Sequence, residues 1–100
     1  MKYLRIYADQ NGDSHFEDVE IAMSLTNFAP PAPPVDVSPL MSSTTVVFLG
    51  FPAGYYGLPH PAPQRLLCLG LAGEGEVAVS DGEVRRFAPG SIVLVGSSTW

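Results

Sequence analysis

The sequence predicts an all-β fold of short strands joined by turns. Ten glycines and ten prolines in 100 residues leave little room for a long helix. From Thr44 onward, runs of β-branched, aromatic and aliphatic residues recur at about ten-residue spacing, with glycine-containing turns between them. A hydrophobic fraction of 46% with 15% charged residues is typical of a globular chain. We therefore expect a single domain over residues 1–100, built as a β-barrel or sandwich.

The first part of the chain, residues 1–43, is predicted to contain strands followed by an extended arm. KYLRIYAD leads into the turn residues DQNGDS, which predicts a first strand. In HFEDVEIAMSL, acidic and apolar residues nearly alternate, and this pattern favours a second strand. Five of the ten residues from Pro30 to Pro39 are prolines, which lack the amide donor that a β-ladder needs. This segment is expected to wrap the domain surface as an ordered arm.

Residues 44–100 carry the strongest strand signals and are predicted to form the barrel core. The candidate strands are TTVVFLGF, RLLCLGLAG, GEVAV, EVRRF and SIVLVG. Between GEVAV and EVRRF, Asp81-Gly82 predicts a tight hairpin turn with positive φ at both central residues.

Charge and cysteine content limit the partners and the compartment. The net charge of -5 argues against nucleic acid and anionic membranes, because both require basic patches. The single cysteine, Cys68, excludes an intrachain disulfide and fits a reducing compartment. The N-terminus lacks a signal-peptide pattern, and no apolar run reaches the length of a membrane span. A cytoplasmic protein with no membrane partner is expected.

The stretch GYYGLPHPAPQRLLCLGLAG resembles the first motif of the cupin superfamily, Gly-x5-His-x-His-x3–4-Glu-x6-Gly. Gly54 and Gly73 take the two glycine positions, and His60 takes the position of the first metal-ligand histidine. Ala62 stands at the second histidine and Leu66 at the glutamate. The frame of the motif is thus preserved, while two of its three metal ligands are apolar.

The segment FAPGSIVLVGSSTW resembles the start of the second cupin motif, with Gly90 as its first glycine. The motif's histidine falls one position beyond Trp100. The resemblance covers about Thr44 to Trp100 and implies a double-stranded β-helix, also called a jelly-roll barrel. Since cupin barrels usually continue after this point, either a longer chain or a segment of another chain is expected to close the barrel.

The resemblance implies a small-molecule cavity inside the barrel. With Leu66 at an inward position, period-two alternation places Cys68 and Gly70 on the same inward face. Gly70 and Ala62 are small, which suggests room for a ligand. Cys68 is expected to be buried and inert. The full set of predicted ligand-binding residues is His60, Tyr55, Tyr56, Ala62, Gln64, Leu66, Cys68 and Gly70.

Three functions are compatible with this pattern. The leading one is binding of a small organic ligand without a cofactor. The second is an enzyme: either an isomerase or cyclase with His60 as catalytic base, or a dioxygenase with a divalent transition metal on His60. His15 and Glu17 are candidate additional ligands, because residues two apart on a strand share one face. The third is a non-catalytic scaffold.

The same alternation points Leu67, Leu69 and Leu71 outward. Three outward leucines on a small barrel require a cover, which is either the N-terminal strand with its arm or a second subunit. Because cupins commonly pair through such sheets, the resemblance implies a homodimer.

Overall fold

The all-β prediction is confirmed. In the computed structural model, which describes residues 1–57 and 65–96, the chain forms eight β-strands and no helix. The strands are β1 (Lys2–Ala8), β2 (Ser14–Glu20), β3 (Ser24–Thr26), β4 (Val35–Val37), β5 (Leu66–Leu69), β6 (Gly75–Ala78), β7 (Val84–Phe87) and β8 (Ile92–Val95). Within the described residues these strands form one open sheet and two hairpins and do not close into a barrel. No described segment is a helix of the length and apolarity needed to cross a membrane.

The main sheet has four strands in the order β2-β1-β8-β5. β1 and β2 form an antiparallel hairpin, whereas β8 lies parallel to β1 and antiparallel to β5. Leu4 lies opposite Val93 and Ile6 opposite Val95 in the parallel ladder. The sheet therefore joins the first strand of the chain to the last described one.

The core of the described structure is small and centred on β8. Val93 and Leu94 are buried, and Leu94 is only 1% exposed. Val79, at the end of the β6–β7 hairpin, is the other buried hydrophobic residue of the described part. β8 is buried because it lies between β1 and β5 and is apolar on both faces.

Both long hairpins turn through the same three-residue loop. In the β1–β2 loop, the amide of Asp9 donates to the carbonyl of Asp13 at 2.8 Å, and the amide of Gly12 donates to the carbonyl of Asp9 at 3.0 Å. Gly12 has a φ of 85°. This pattern is a tight turn followed by a glycine bulge, a common way to connect two antiparallel strands.

The hairpin predicted at Asp81-Gly82 is present, but the predicted turn type is wrong. The amide of Val79 donates to the carbonyl of Glu83, and the amide of Gly82 donates to the carbonyl of Val79. Gly82 has a φ of 97°, whereas no described residue other than glycine has positive φ. One additional loop residue, Ser80, moves the positive-φ position onto the glycine alone, so that Asp81 keeps ordinary backbone geometry.

Part of the predicted arm is paired. Val35–Val37 forms β4 and pairs antiparallel with β3, so that Ser24 lies opposite Val37 and Thr26 opposite Val35. The prolines on either side of β4 limit this ladder to three residues.

The strand predicted at TTVVFLGF is wrong for the structure as described, because residues 44–51 form no strand. Its large side chains lie in solvent, and Val46 and Phe48 are each 83% exposed. The propensity of such residues for strands reflects packing against neighbouring strands. No strand of the described chain pairs with this segment, so the propensity is not realised.

Gly70 is where the backbone after β5 meets the turn before β8. Its amide donates to the carbonyl of Ser91, and its carbonyl accepts from the amide of Gly90, both at 2.9 Å. A Cβ at residue 70 would lie 2.2 Å from the carbonyl oxygen of Ala88. The space beside Gly70 is therefore occupied by backbone, not by a void.

We expect Gly70→Ala to lower the free energy of unfolding by about 1–3 kcal/mol, because one of two hydrogen-bonded backbone segments must move. Gly75→Ala is the matched control, since a Cβ there meets no atom within 4 Å. The control should stay within about 0.5 kcal/mol of the parent in urea unfolding. Equal stability of the two variants would contradict the close approach at Gly70.

Candidate functional site

The structure describes five of the eight predicted ligand-binding residues. Tyr55 and Tyr56 are exposed, and the ring of Tyr55 contacts Phe51 at a centroid distance of 5.0 Å. Leu66, Cys68 and Gly70 lie on or directly after β5. The other three predicted residues, His60, Ala62 and Gln64, lie outside the described residues.

The predicted alternation along β5 is confirmed. Leu66 and Cys68 are half-buried, whereas Leu67 and Leu69 are 39% and 59% exposed. Cys68 lies opposite Val93 of β8. Burial raises the pKa of the Cys68 thiol, so the thiolate is disfavoured and the predicted lack of reactivity has a physical basis.

The outward face of β5 forms one wall of an apolar groove with a volume of about 210 Å³. β1 and β8 form its floor, and residues that follow β2 and β4 form its other side. The lining residues are Met1, Tyr3, Ile21, Met23, Ser38, Met41, Leu67, Leu69, Ile92 and Leu94. None of these side chains is charged.

All three methionines of the chain line this groove. Met1 precedes β1, Met23 lies between β2 and β3, and Met41 follows the arm. They are far apart in sequence, so no spacing motif indicates that they meet. In the sequence, only the outward-pointing leucines of β5 indicate that this face is covered. The N-terminal segment with its arm covers them in part.

The second candidate site is a polar cluster where the loops of the two long hairpins meet. The imidazole of His15 lies between two carboxylates, with Nε2 2.7 Å from Asp9 and Nδ1 2.9 Å from Asp81. Beside it, the amide of Ser14 donates to the hydroxyl of Ser80 at 2.6 Å, and the amide of Ser80 donates to the hydroxyl of Ser14 at 2.8 Å. Reciprocal hydrogen bonds of this kind fix the two loops against each other.

The electrostatics of the cluster favour the charged forms of His15, Asp9 and Asp81. Hydrogen bonds to Asp9 and then to Asp81 raise the pKa of His15. The hydrogen bond from His15 lowers the pKa of Asp9, and the pKa of Asp81 is lowered first by the amide of Glu83 and then by His15. Only the protonated imidazole donates from both nitrogens. Because both nitrogens are engaged, His15 is suited to joining the loops and not to acting as a catalytic base.

The residues predicted as additional metal ligands have other partners. His15 is held by Asp9 and Asp81, and the carboxylate of Glu17 accepts from the guanidinium of Arg5 at 3.3 Å. Over residues 1–57 and 65–96, no three His, Cys, Asp or Glu side chains are grouped so as to hold a metal ion. A metal on His60, which lies outside the described residues, stays a prediction.

Comparisons with protein-family models, curated proteins and solved structures find no match to this chain. The arguments about function therefore rest on the groove and the polar cluster themselves.

We expect the contribution of the His15 cluster to stability to be greatest in mildly acidic solution. The raised pKa of His15 means that its contribution is complete below the ordinary value of 6.5 and is lost as the pH rises through the raised folded value. The lowered pKa values of Asp9 and Asp81 mean that their contribution is present above 3.8 and is lost as the pH falls through their folded values.

His15→Gln tests this expectation, because glutamine keeps a hydrogen-bonding side chain and removes the titration. Urea unfolding of parent and variant should differ more at pH 5.5 than at pH 9. A difference that is the same at both pH values would contradict a protonated His15 between the two loops.

Proposed function

We propose that this protein binds a small, uncharged, apolar organic molecule in the methionine-lined groove. The observation that carries the proposal is a concave surface lined by three methionines, five leucine or isoleucine side chains, a tyrosine and a serine, with no charged side chain. Apolar concavities with a few polar groups are the usual form of small-molecule sites. This groove lies on the face of Leu67 and Leu69, opposite to the predicted interior site at Leu66 and Cys68.

The methionines favour a ligand whose shape is not tightly specified. Methionine is unbranched and polarizable, and it adapts its rotamers to irregular partners and to aromatic rings. Met23 and Met41 are each 41% exposed, so both can reorient when a ligand enters. The volume of about 210 Å³ exceeds the roughly 150 Å³ of an apolar cavity that accepts benzene. A ligand about the size of a substituted benzene ring fits this space.

The charges around the groove argue for a neutral ligand. The ammonium group of Met1, the charged group nearest to the lining in sequence, already pairs with Glu20 at 3.2 Å. A charged ligand placed against leucine and isoleucine would lose hydration without gaining a partner. The hydroxyl groups of Tyr3 and Ser38 are the polar side-chain groups that the lining offers to a ligand.

Methyl NMR of protein labelled with ¹³C at the methionine methyl groups tests this proposal directly. Because every methionine lines the groove, we expect toluene to shift all three methionine methyl signals in a saturable way. The affinity should be weak, on the order of a millimolar Kd, because the groove is small and open.

Benzoate is the matched control ligand, since it has the same ring with a carboxylate in place of the methyl group. It should leave the signals nearly unchanged at the same concentrations. Absence of any shift with toluene up to its solubility would overturn the proposed binding site, and equal shifts with benzoate would overturn the preference for a neutral ligand.

We propose in addition that the chain forms a homodimer through its outward leucines. Leu67, Leu69 and Leu71 remain exposed despite the groove, and Leu71 is 70% exposed. A contiguous apolar patch of this kind is typical of protein–protein contacts. The cupin resemblance and its jelly-roll barrel stay part of this dimer proposal, because they imply pairing between sheets; the small-molecule site that they imply lies on the face opposite to the groove. The enzymatic alternatives depend on His60 and stay predictions.

We expect Leu69→Glu to convert the dimer to monomers, because the substitution places a charge in the centre of the apolar contact. Leu25→Glu is the matched control: Leu25 is an equally large, exposed side chain on β3, away from this patch. Sedimentation of the parent and both variants measures the result. A dimer that survives Leu69→Glu would count against pairing through this face.

A further inference from the structure

We propose that a second copy of this chain supplies residues Val46–Phe51 as an added β-strand along the free edge of β5. This inference rests on the proposed homodimer and is independent of the proposed ligand. Three observations lead to it: the unpaired edge of β5, the unpaired apolar segment, and the exposure of the side chains of that segment.

One edge of β5 is unpaired in the described part of the chain. β5 pairs with β8 on one side, and no other described strand pairs with its second side. Its sequence, LLCL, is apolar at every position. An exposed apolar strand edge offers a row of amide and carbonyl groups to any extended chain that lies beside it. A strand that pairs here must be apolar on both faces to match.

Residues Val46–Phe51 have the composition that this edge requires. The sequence VVFLGF is apolar at every position except Gly50, so both faces of an extended strand would be apolar. No backbone group of these residues makes a hydrogen bond in the part of the chain that the structure describes. Six residues are enough to pair with the whole four-residue length of β5.

The exposure of this segment agrees with a missing partner. Val46, Val47, Phe48, Leu49 and Phe51 are each at least 66% exposed. A stable interface buries about 800 Å² per partner, and these five large side chains offer apolar surface for one.

A second copy of the chain can pair with both the free edge of β5 and the segment Val46–Phe51. In its described residues each chain carries the unpaired edge of β5 and one unpaired strand-forming segment, and reciprocal exchange about a two-fold axis would fill both β5 edges in a closed dimer. The added strand would place alternate side chains beside Leu67 and Leu69. The partner copy would thereby lengthen the wall of the apolar groove.

The test is Val47→Pro, because proline removes an amide donor and cannot continue a paired strand. Residue 47 is exposed and unpaired in the single chain, so the substitution should leave the fold intact and abolish dimer formation. Ser42→Pro is the matched control, at another exposed position outside any strand. Sedimentation measures the oligomeric state, and circular dichroism with urea unfolding measures the fold.

The expected result is a dimeric parent, a dimeric Ser42→Pro variant, and a folded but monomeric Val47→Pro variant. A dimer that survives Val47→Pro but dissociates with Leu69→Glu would overturn the strand exchange and leave the proposed homodimer intact. A monomeric parent would overturn both. If Val47→Pro unfolds the monomer, the segment packs within its own chain and the inference is wrong.

Discussion

The parallel pairing of β1 with β8 is the contact on which the rest of the described structure depends. Parallel strands require a long connection, and here almost the whole described chain lies between the two. The pairing places β8 between β1 and β5, which buries Val93 and Leu94 and creates the floor of the groove. Without it, the β1–β2 hairpin and β5 would have no shared sheet. Closing this long connection costs conformational entropy. Because few side chains are buried, contacts outside the core have to offset part of that cost.

Polar contacts between the hairpin loops supply part of that contribution. Ser14 and Ser80 exchange hydrogen bonds, and His15 joins carboxylates from both loops. Farther along the hairpins, the guanidinium of Arg85 donates to Asp18 at 3.4 Å and lies 5.6 Å from the ring centroid of Phe16. These groups are partly exposed, so each contact contributes modestly and depends on pH or salt. Together they hold the β1–β2 hairpin against the β6–β7 hairpin.

Local features of the sequence were predictable, and contacts between distant segments were not. Alternation placed Leu66 and Cys68 on one face of β5, and Asp81-Gly82 located a hairpin, because both depend only on neighbouring residues. The partners of His15 and the meeting of three methionines depend on how distant strands pack, and no local pattern encodes that. The segment from Val46 to Phe51 shows the limit most clearly. Its strand propensity is strong, but a strand also requires an edge to pair with.

Ligand binding and dimer formation, the two proposed functions, both involve the exposed apolar residues of this chain. Forty-six per cent of the chain is hydrophobic, whereas the buried hydrophobic residues of the described part are Val79, Val93 and Leu94. Such a composition is stable in water when further apolar surface is covered by a ligand or by another chain. Leu67 and Leu69 face the groove from the strand whose edge is free. A strand added at that edge and a ligand in the groove would contact the same two leucines. Because they share these contacts, ligand binding and dimer formation would be linked, and each would change the affinity of the other by the same factor.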